Sequence, residues 1–448
     1  MELSAHALTT FDDALRANPQ FKVLQGALRK GKLSNVSADP SVLSKLQPRF
    51  NRELPEKVTV LDQGQSGRCW LFAGLNMMRR RMIAHFKLPP EFALSSAHLS
   101  RCMKIERCNV AMETMYDLAK RGVTGVEYRY FYPTMKLEGG TFSEFAALVR
   151  KYGIVPANVS PDTRHADDPA QMDHIIKTVV LNASSAIVRC KTLVEFRAIK
   201  STVLSDCHRI ISACMGSPPR SFMWTPNAAN KSEKQYTPST FYDKVIKPLM
   251  DVDKHVCIAH NPVIAFGRTF AIASSGTVLQ PDDRDVRRIR SSSRYLNVDM
   301  TVFKKAVFKS LTQGRAVNIS CDIHHFLLDA EKVLDGEASN IREMFGVELA
   351  VSKRDALESR ALTKNHAMCI VGCQREANGK FTRWKVENSW GNEYGLNGFI
   401  TMSDSWFEEH ILSAAIQLDC LPVAMQRRYT SDNKNGTMWL QSFDTVFS

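Results

Sequence analysis

The stretch LDQGQSGRCWLFAGLN, from Leu61 to Asn76, joins a polar loop that contains glycine to an apolar run, and Cys69 stands at the junction. From Cys69 to Phe86 the apolar residues recur at helical spacing, which predicts a helix that begins at the cysteine. The free N–H groups and the dipole at a helix N-terminus stabilise a thiolate. Although a cysteine in this position is more often a small buried residue, its setting makes Cys69 a candidate nucleophile.

The neighbours of Cys69 supply other groups that a thiolate nucleophile uses. The side-chain amide of Gln63 and the backbone N–H of Cys69 together predict an oxyanion hole. Gly64 and Gly67 permit a tight loop with a close approach of the backbone to a substrate. Trp70 would shield the site from water. We therefore expect Gly67 and Trp70 to contact the substrate.

A proton acceptor and its orienting group are predicted late in the chain. His366 begins the run HAMCIVGCQ, whose apolar residues predict a strand with the imidazole at its edge, facing a cleft. Asn388 follows the next predicted strand, where its side chain can fix the tautomer of a histidine. Trp390 would cover that hydrogen bond and contact the substrate. Any single histidine is more often structural or exposed, so the ordered set of Gln, Cys, His and Asn carries the interpretation.

These segments resemble those of papain-like cysteine peptidases. QGQSGRCW is similar to the nucleophile segment, NHAM to the histidine segment and ENSWG to the asparagine segment. By matched position, the resemblance implies that Cys69 is the nucleophile and that Gln63 donates to the oxyanion. It also implies that His366 is the general base and acid and that Asn388 orients it.

Departures from the secreted enzymes indicate the bleomycin hydrolase and aminopeptidase C group. Ser66 stands where secreted members carry a disulfide cysteine, and Arg68 directly precedes the nucleophile. Cys69 and His366 also lie much further apart than the roughly 130–150 residues of secreted members. Further stretches resemble this group, among them ERCN, EGGTFSEFAALVRKYGIVP, TPSTFYDKVIKPL and CDIHHF. The likeness runs from about residue 55 to 420.

The resemblance implies an α+β fold with a papain-like core of two parts, one helical and one rich in strands. A large, mainly helical insertion and two terminal arms complete it. The residue pattern agrees, because predicted helices dominate early and predicted strands dominate late. The expected segments are an N-terminal arm (1–55), the helical half (56–170), an insertion and oligomerisation region (171–345), the β-rich half (346–420) and a C-terminal arm (421–448).

Members of the group act mainly as cytosolic aminopeptidases of broad specificity, form a homohexameric barrel, and in some cases hydrolyse bleomycin-type amides or homocysteine thiolactone. In the group, the terminal carboxylate of the C-terminal arm holds the substrate's free α-amino group. The resemblance therefore implies this substrate-binding role for Ser448. Because the ending SFDTVFS does not resemble the tail of typical members, a papain-like endopeptidase is an alternative.

Composition and net charge limit the kinds of partner that the chain can bind. The chain has 448 residues, 44% of them hydrophobic, and a net charge of +13. This charge permits non-specific binding of nucleic acid but none of the common recognition modules is present. A nucleic-acid-binding hexamer with a secondary peptidase activity is therefore a second alternative. We interpret the densest basic run, Arg284 to Arg294, as a solvated loop or helix face.

Cysteine usage and the absence of export signals predict a cytoplasmic protein. The cysteines number eleven, are scattered, and show neither a disulfide framework nor zinc spacing, so we expect a reducing compartment, no metal and no cofactor. The N-terminus lacks the basic start and apolar stretch of a secretory signal. No run approaches the roughly 18 apolar residues of a membrane span, so we expect no membrane partner.

Overall fold

The computed structural model describes residues 3–122, 135–226, 233–273, 292–323, 327–328, 332–431 and 437–440. Helices dominate the first half of the chain. They are α1 (Ala5–Ala17), α2 (Pro19–Leu28), α3 (Leu33–Val36), α4 (Pro40–Leu43), α5 (Cys69–Phe86), α6 (Ser96–Lys120), α7 (Phe142–Tyr152), α8 (Arg164–Asp167), α9 (Ala170–Arg189) and α10 (Leu193–Met215).

The second half contributes most of the strands and shorter helices. The helices are α11 (Pro238–Phe241), α12 (Met300–Thr312), α13 (Ile341–Phe345), α14 (Lys353–Glu358), α15 (Asp404–His410) and α16 (Val423–Ser431), with a π-helical turn at Tyr242–Ile246 and 3₁₀ turns at Val252–Lys254 and Leu418–Cys420. The strands are β1 (Arg52–Glu53), β2 (Phe222–Trp224), β3 (Lys234–Tyr236), β4 (His255–Ala259), β5 (Thr269–Ala273), β6 (Ser292–Asn297), β7 (Val317–Cys321), β8 (Leu327–Leu328), β9 (Val333–Leu334), β10 (His366–Arg375), β11 (Phe381–Glu387), β12 (Phe399–Ser403), β13 (Ile411–Gln417) and β14 (Met438–Leu440).

The helix that carries Cys69 has the predicted bounds and is buried on nearly all sides. α5 packs against the strand β10 on one side and against α7 on another. A Cβ added to Gly74 would lie 2.7 Å from the ring of Phe145, so glycine permits the close contact between α5 and α7. The helix ends where Lys87 adopts a left-handed conformation, with φ of 56°. α5 therefore lies in the core between the helical layer and the sheet.

One mixed sheet contains twelve of the strands described. Its order is β14-β5-β6-β4-β13-β7-β10-β11-β12-β9-β8, and β1 pairs with β10 outside this path. β7 lies between β10 and β13, so the sheet includes strands from both the 171–345 and the 346–420 segments. The chain has the predicted α+β class, whereas the boundaries of the five segments stay predictions.

The helical hairpin of α9 and α10 packs on α6 and forms a second hydrophobic cluster. Its buried residues recur at intervals of three, four or seven, as expected for one face of each helix. They are Met172, Ile176, Val180, Ala183 and Ile187 on α9, and Phe196, Val203, Cys207, Ile211 and Met215 on α10. Within the residues described, no helix is long and apolar enough to cross a membrane.

Local signals explain where α7 begins and ends. The sequence favours Thr141 or Ser143 as its cap, and Thr141 takes this role, because its side chain accepts from the backbone N–H of Glu144. Gly153 ends the helix with φ of 66°.

Most of the basic run from Arg284 to Arg294 lies outside the described residues, and its last residues belong to the strand β6 rather than to a loop or helix.

Candidate active site

Cys69 lies at the first position of α5 and contacts the strand that begins with His366. Burial raises the pKa of the Cys69 thiol to about 11, against hydrogen bonds from the backbone N–H groups of Ala367 and Trp70, which lower it. Ala367 directly follows His366, so the helix start and the start of β10 meet at the sulfur atom. A thiol with so high a pKa is protonated at neutral pH and needs a neighbouring base to become a nucleophile.

His366 and Asn388 are hydrogen bonded to each other. The distance between His366 Nε2 and Asn388 Oδ1 is 2.8 Å, and both residues are buried. Since the amide oxygen accepts, Nε2 carries the proton and Nδ1 is the basic nitrogen of the ring. The ring of Trp390 lies 5.0 Å from the imidazole and packs on Tyr394. Trp390 thus covers the histidine from one side.

Backbone pairing sets the positions of both residues. His366 pairs with Cys321 of β7, and Asn388 directly follows β11, which is antiparallel to β10. The ends of neighbouring antiparallel strands come together at one edge of the sheet. A histidine at the start of β10 and an asparagine just past the end of β11 therefore meet, although they are distant in sequence.

The side chain of Gln63 is held at both ends of its amide. Its Oε1 accepts from the Ser389 hydroxyl at 2.6 Å, and its Nε2 donates to the Ser66 carbonyl at 2.6 Å. The backbone N–H of Gln63 also donates to the Ser389 carbonyl. Only one of the two Nε2 protons has an acceptor among the described residues, which leaves a donor for an oxyanion. Ser389 lies inside the ENSWG segment, but the sequence interpretation assigned it no role.

The expected substrate contacts of Gly67 and Trp70 have different outcomes. The Gly67 carbonyl accepts from Gly139 N–H, and a Cβ on Gly67 would lie 3.0 Å from Glu138, so the close approach observed there is to protein. Substrate contact by Gly67 stays a prediction. Trp70 is only 1% exposed and packs on Gly140. We therefore correct its assignment, because a side chain buried in this way fills the core and does not line a cleft.

A buried ion cluster joins the two sides of the site. Glu387, next to Asn388, accepts from Arg80 Nε at 2.6 Å and from Arg79 Nη2 at 3.1 Å. All three residues are buried. The cluster links the far part of α5 to the end of β11, so it ties the helix of Cys69 to the strand of Asn388.

The geometry supports acyl transfer. It combines a buried thiol at a helix start, a histidine of fixed tautomer whose neighbour Ala367 donates to that thiol, and a restrained amide donor. The predicted anchor Ser448 lies outside the described residues.

Known peptidases resemble this chain over nearly its whole length. The model of the Peptidase C1-like family matches residues 2–445. Aminopeptidase C of Listeria monocytogenes is 27% identical over 424 residues, covering 93% of this chain and 92% of the relative. Bleomycin hydrolase of Gallus gallus is 26% identical over 441 residues, covering 94% of each chain.

A solved structure extends the similarity to three dimensions. The crystal structure of PepW from Lactobacillus rhamnosis HN001 matches with a TM-score of 0.89 and 25% identity, covering 99% of this chain and 98% of the other. These matches confirm the predicted resemblance to the bleomycin hydrolase and aminopeptidase C group. Since the family model spans nearly the whole chain, the protein belongs to the Peptidase C1-like family.

Proposed function

We propose that this protein is a cysteine aminopeptidase that removes residues from the N-terminus of peptides through a thiolate acyl-enzyme. The observation that carries the proposal is the His366–Asn388 hydrogen bond at the start of β10, where the backbone N–H of Ala367 donates to the buried Cys69 thiol. Relatives named aminopeptidase C and bleomycin hydrolase support the choice of substrate class. Bleomycin-type amides and homocysteine thiolactone are further proposed substrates.

In the proposed reaction, His366 Nδ1 takes the proton of the Cys69 thiol and the thiolate attacks the scissile carbonyl. The Gln63 amide and the Cys69 backbone N–H donate to the oxyanion of the tetrahedral intermediate. The imidazolium then protonates the leaving amine, and the acyl group stays on sulfur. His366 next removes a proton from water, the hydroxide releases the acyl group, and the thiol is restored.

The restriction to N-terminal residues is assigned to the carboxylate of Ser448. An ion pair between this carboxylate and the α-ammonium group of a peptide, in a partly desolvated slot, would hold the substrate and block longer chains. If the arm does not perform this role, the same catalytic groups act as an endopeptidase.

We also propose a cytoplasmic homohexamer, which native mass spectrometry tests through the mass of the assembly.

The first experiment tests the nucleophile. Cys69→Ala should abolish turnover of a dipeptide reporter with a free α-amino group, while circular dichroism and the melting temperature stay close to those of the wild type. Cys190→Ala removes a partly exposed thiol of the helical hairpin and is the matched control. Full thiol-dependent turnover by Cys69→Ala would falsify the assignment.

The second experiment tests the specificity. The wild type should cleave the free-amine reporter and not its N-acetylated form, whereas removal of residues 441–448 should reduce this preference. An unchanged preference in the truncated protein argues against the Ser448 anchor. Equal cleavage of the free-amine and N-acetylated reporters by the wild type favours the endopeptidase.

Salt-dependent binding of single-stranded DNA by Cys69→Ala would support nucleic-acid binding as a second activity.

A further inference from the structure

Arg68 is completely buried, and its guanidinium group has a full set of acceptors. Nε donates to Ser66 Oγ at 2.7 Å. The remaining hydrogen bonds run from Nη1 to Ser96 Oγ (2.9 Å) and Asp162 Oδ1 (2.7 Å), and from Nη2 to the Gln63 carbonyl (3.2 Å) and Asp167 Oδ1 (2.8 Å). A buried arginine with all its N–H groups satisfied is strongly fixed in orientation.

Two of these acceptors belong to the loop that carries the oxyanion donor. The Gln63 carbonyl accepts from Arg68 and from the Ser66 hydroxyl, the latter at 2.5 Å. The Gln63 amide donates back to the Ser66 carbonyl. The guanidinium group of Arg68, the residue before Cys69, thus binds both ends of the turn from Gln63 to Ser66.

The other acceptors anchor this loop to the protein. The carboxylates of Asp162 and Asp167 both form ion pairs with the buried guanidinium group of Arg68. Gly64 adopts φ of 62°, and a Cβ there would lie 2.8 Å from the Asp167 carbonyl, so the loop rests directly on this segment. Ser66 occupies the place of a disulfide cysteine in secreted papain-like enzymes, and an ion-pair network is found around it instead.

We propose that Arg68 is a positioning residue, which holds the Gln63 side-chain amide in the geometry that stabilises the oxyanion. This role rests on the proposed function. It predicts an effect on the transition state rather than on substrate binding, because the oxyanion exists only during the reaction. Arg68→Lys keeps a positive charge but cannot reproduce the planar fork of donors.

The experiment is a double-mutant cycle on the full-length protein. We expect Arg68→Lys to lower kcat about tenfold with little change in KM, and Gln63→Ala to lower kcat about 10²- to 10³-fold. If Arg68 acts through Gln63, the double variant should lose much less than the product of the two factors. Arg101→Lys is the matched control, since Arg101 is buried and binds the Met215 and Gly216 carbonyls but not this loop.

Each outcome has a defined meaning. A double variant with multiplied losses, or an Arg68→Lys enzyme with wild-type kcat, overturns the role of Arg68 and leaves the proposed function standing. An inactive wild type overturns the proposed function and this role with it. If Arg68→Lys does not fold, Asp167→Asn replaces it, because this carboxylate is half-exposed and Asp162 still pairs with the arginine. The role is supported if Asp167→Asn lowers kcat less than Arg68→Lys would and if this loss disappears in the Gln63→Ala background. A loss that persists in the Gln63→Ala background contradicts the role.

Discussion

The two sides of the candidate active site are held by different forces. Gln63 and Cys69 lie on a loop and a helix start, where side-chain hydrogen bonds from Arg68 and Ser389 fix the geometry. His366 lies in a strand whose backbone pairs with its neighbours, so only the orientation of its ring depends on a side chain. We therefore expect substitutions on the loop side to act mainly on catalysis. Replacing the side chain of His366 or Asn388 on the strand side should leave the backbone pairing of the sheet intact.

The largest expected effect comes from removing the imidazole on the strand side of the site. In His366→Ala the Cys69 thiol loses the base that removes its proton, while burial, opposed only in part by the backbone N–H groups of Ala367 and Trp70, keeps the pKa of the thiol at about 11. At pH 7 only about one thiol in 10⁴ would then be ionised. We expect alkylation of Cys69 by iodoacetamide at pH 7 to slow at least about 10³-fold, and its rate to keep rising as the pH approaches 11.

Mass spectrometry of the labelled peptides measures this rate for each thiol. The partly exposed Cys190 provides an internal control in the same sample, because it is remote from His366 in the sequence and lies on the helical hairpin. An unchanged rate at Cys69 would mean that His366 does not control the ionisation of the thiol.

The next effect concerns the ion cluster that joins the two sides. Glu387→Gln would leave the buried Arg79 and Arg80 without their counter-charge, and breaking a buried ion pair costs about 3–5 kcal/mol. We expect the free energy of unfolding in urea to fall by this amount. Turnover per folded molecule should change less than tenfold, since the backbone pairing of His366 is intact.

Glu358→Gln is the matched control, because Glu358 pairs with Arg354 on the surface, where about 1 kcal/mol or less is expected. A Glu387→Gln protein that keeps its stability but loses turnover would assign Glu387 to the catalytic machinery rather than to the framework.

Local patterns could be read from the sequence with good accuracy. The helix from Cys69 to Phe86 has the predicted bounds, because its apolar spacing is a property of consecutive residues. The strand that begins at His366 was predicted for the same reason. The choice of Asn388 as the partner of His366 came from the resemblance to known segments, and the hydrogen bond between them agrees with it.

Interactions between distant segments could not be read in this way. Arg68 binds Asp162 and Asp167, which no local spacing connects to it, and an arginine in a polar loop is usually exposed. The place of β7 between β10 and β13 also depends on long-range pairing. Trp70 was assigned to the substrate because it neighbours Cys69, but a helix turns by about 100° per residue. Its side chain therefore points into the core.

A smaller effect is expected from the side chain that orients His366. Asn388→Ala removes the acceptor of the Nε2 proton, but the strand still holds the histidine backbone opposite Cys321. We expect kcat to fall about 10- to 100-fold with little change in KM, less than the loss in Gln63→Ala. Steady-state kinetics on the free-amine reporter measure both variants. A larger loss in Asn388→Ala than in Gln63→Ala would reverse the comparison between the two sides.

The smallest effect concerns acid stability near the loop side. His98 lies on α6, close in sequence to Ser96, which binds Arg68. Burial lowers the pKa of His98 to about 4, against a hydrogen bond to the Tyr152 carbonyl, which raises it. Between about pH 6.5 and 4 the unfolded chain binds this proton and the folded protein does not, so stability falls as the pH falls through this window.

His98→Gln retains a donor for the Tyr152 carbonyl and cannot titrate. It should therefore reduce the loss of unfolding free energy between pH 6.5 and 4 by about 2–3 kcal/mol, measured by urea denaturation at both values. Part of the loss should remain, because burial also lowers the pKa of His255 and of His260 to about 4. If the free energy of unfolding depends on pH equally in the variant and the wild type, the folded protein accommodates a charged His98. His98 would then not contribute to the loss of stability in acid.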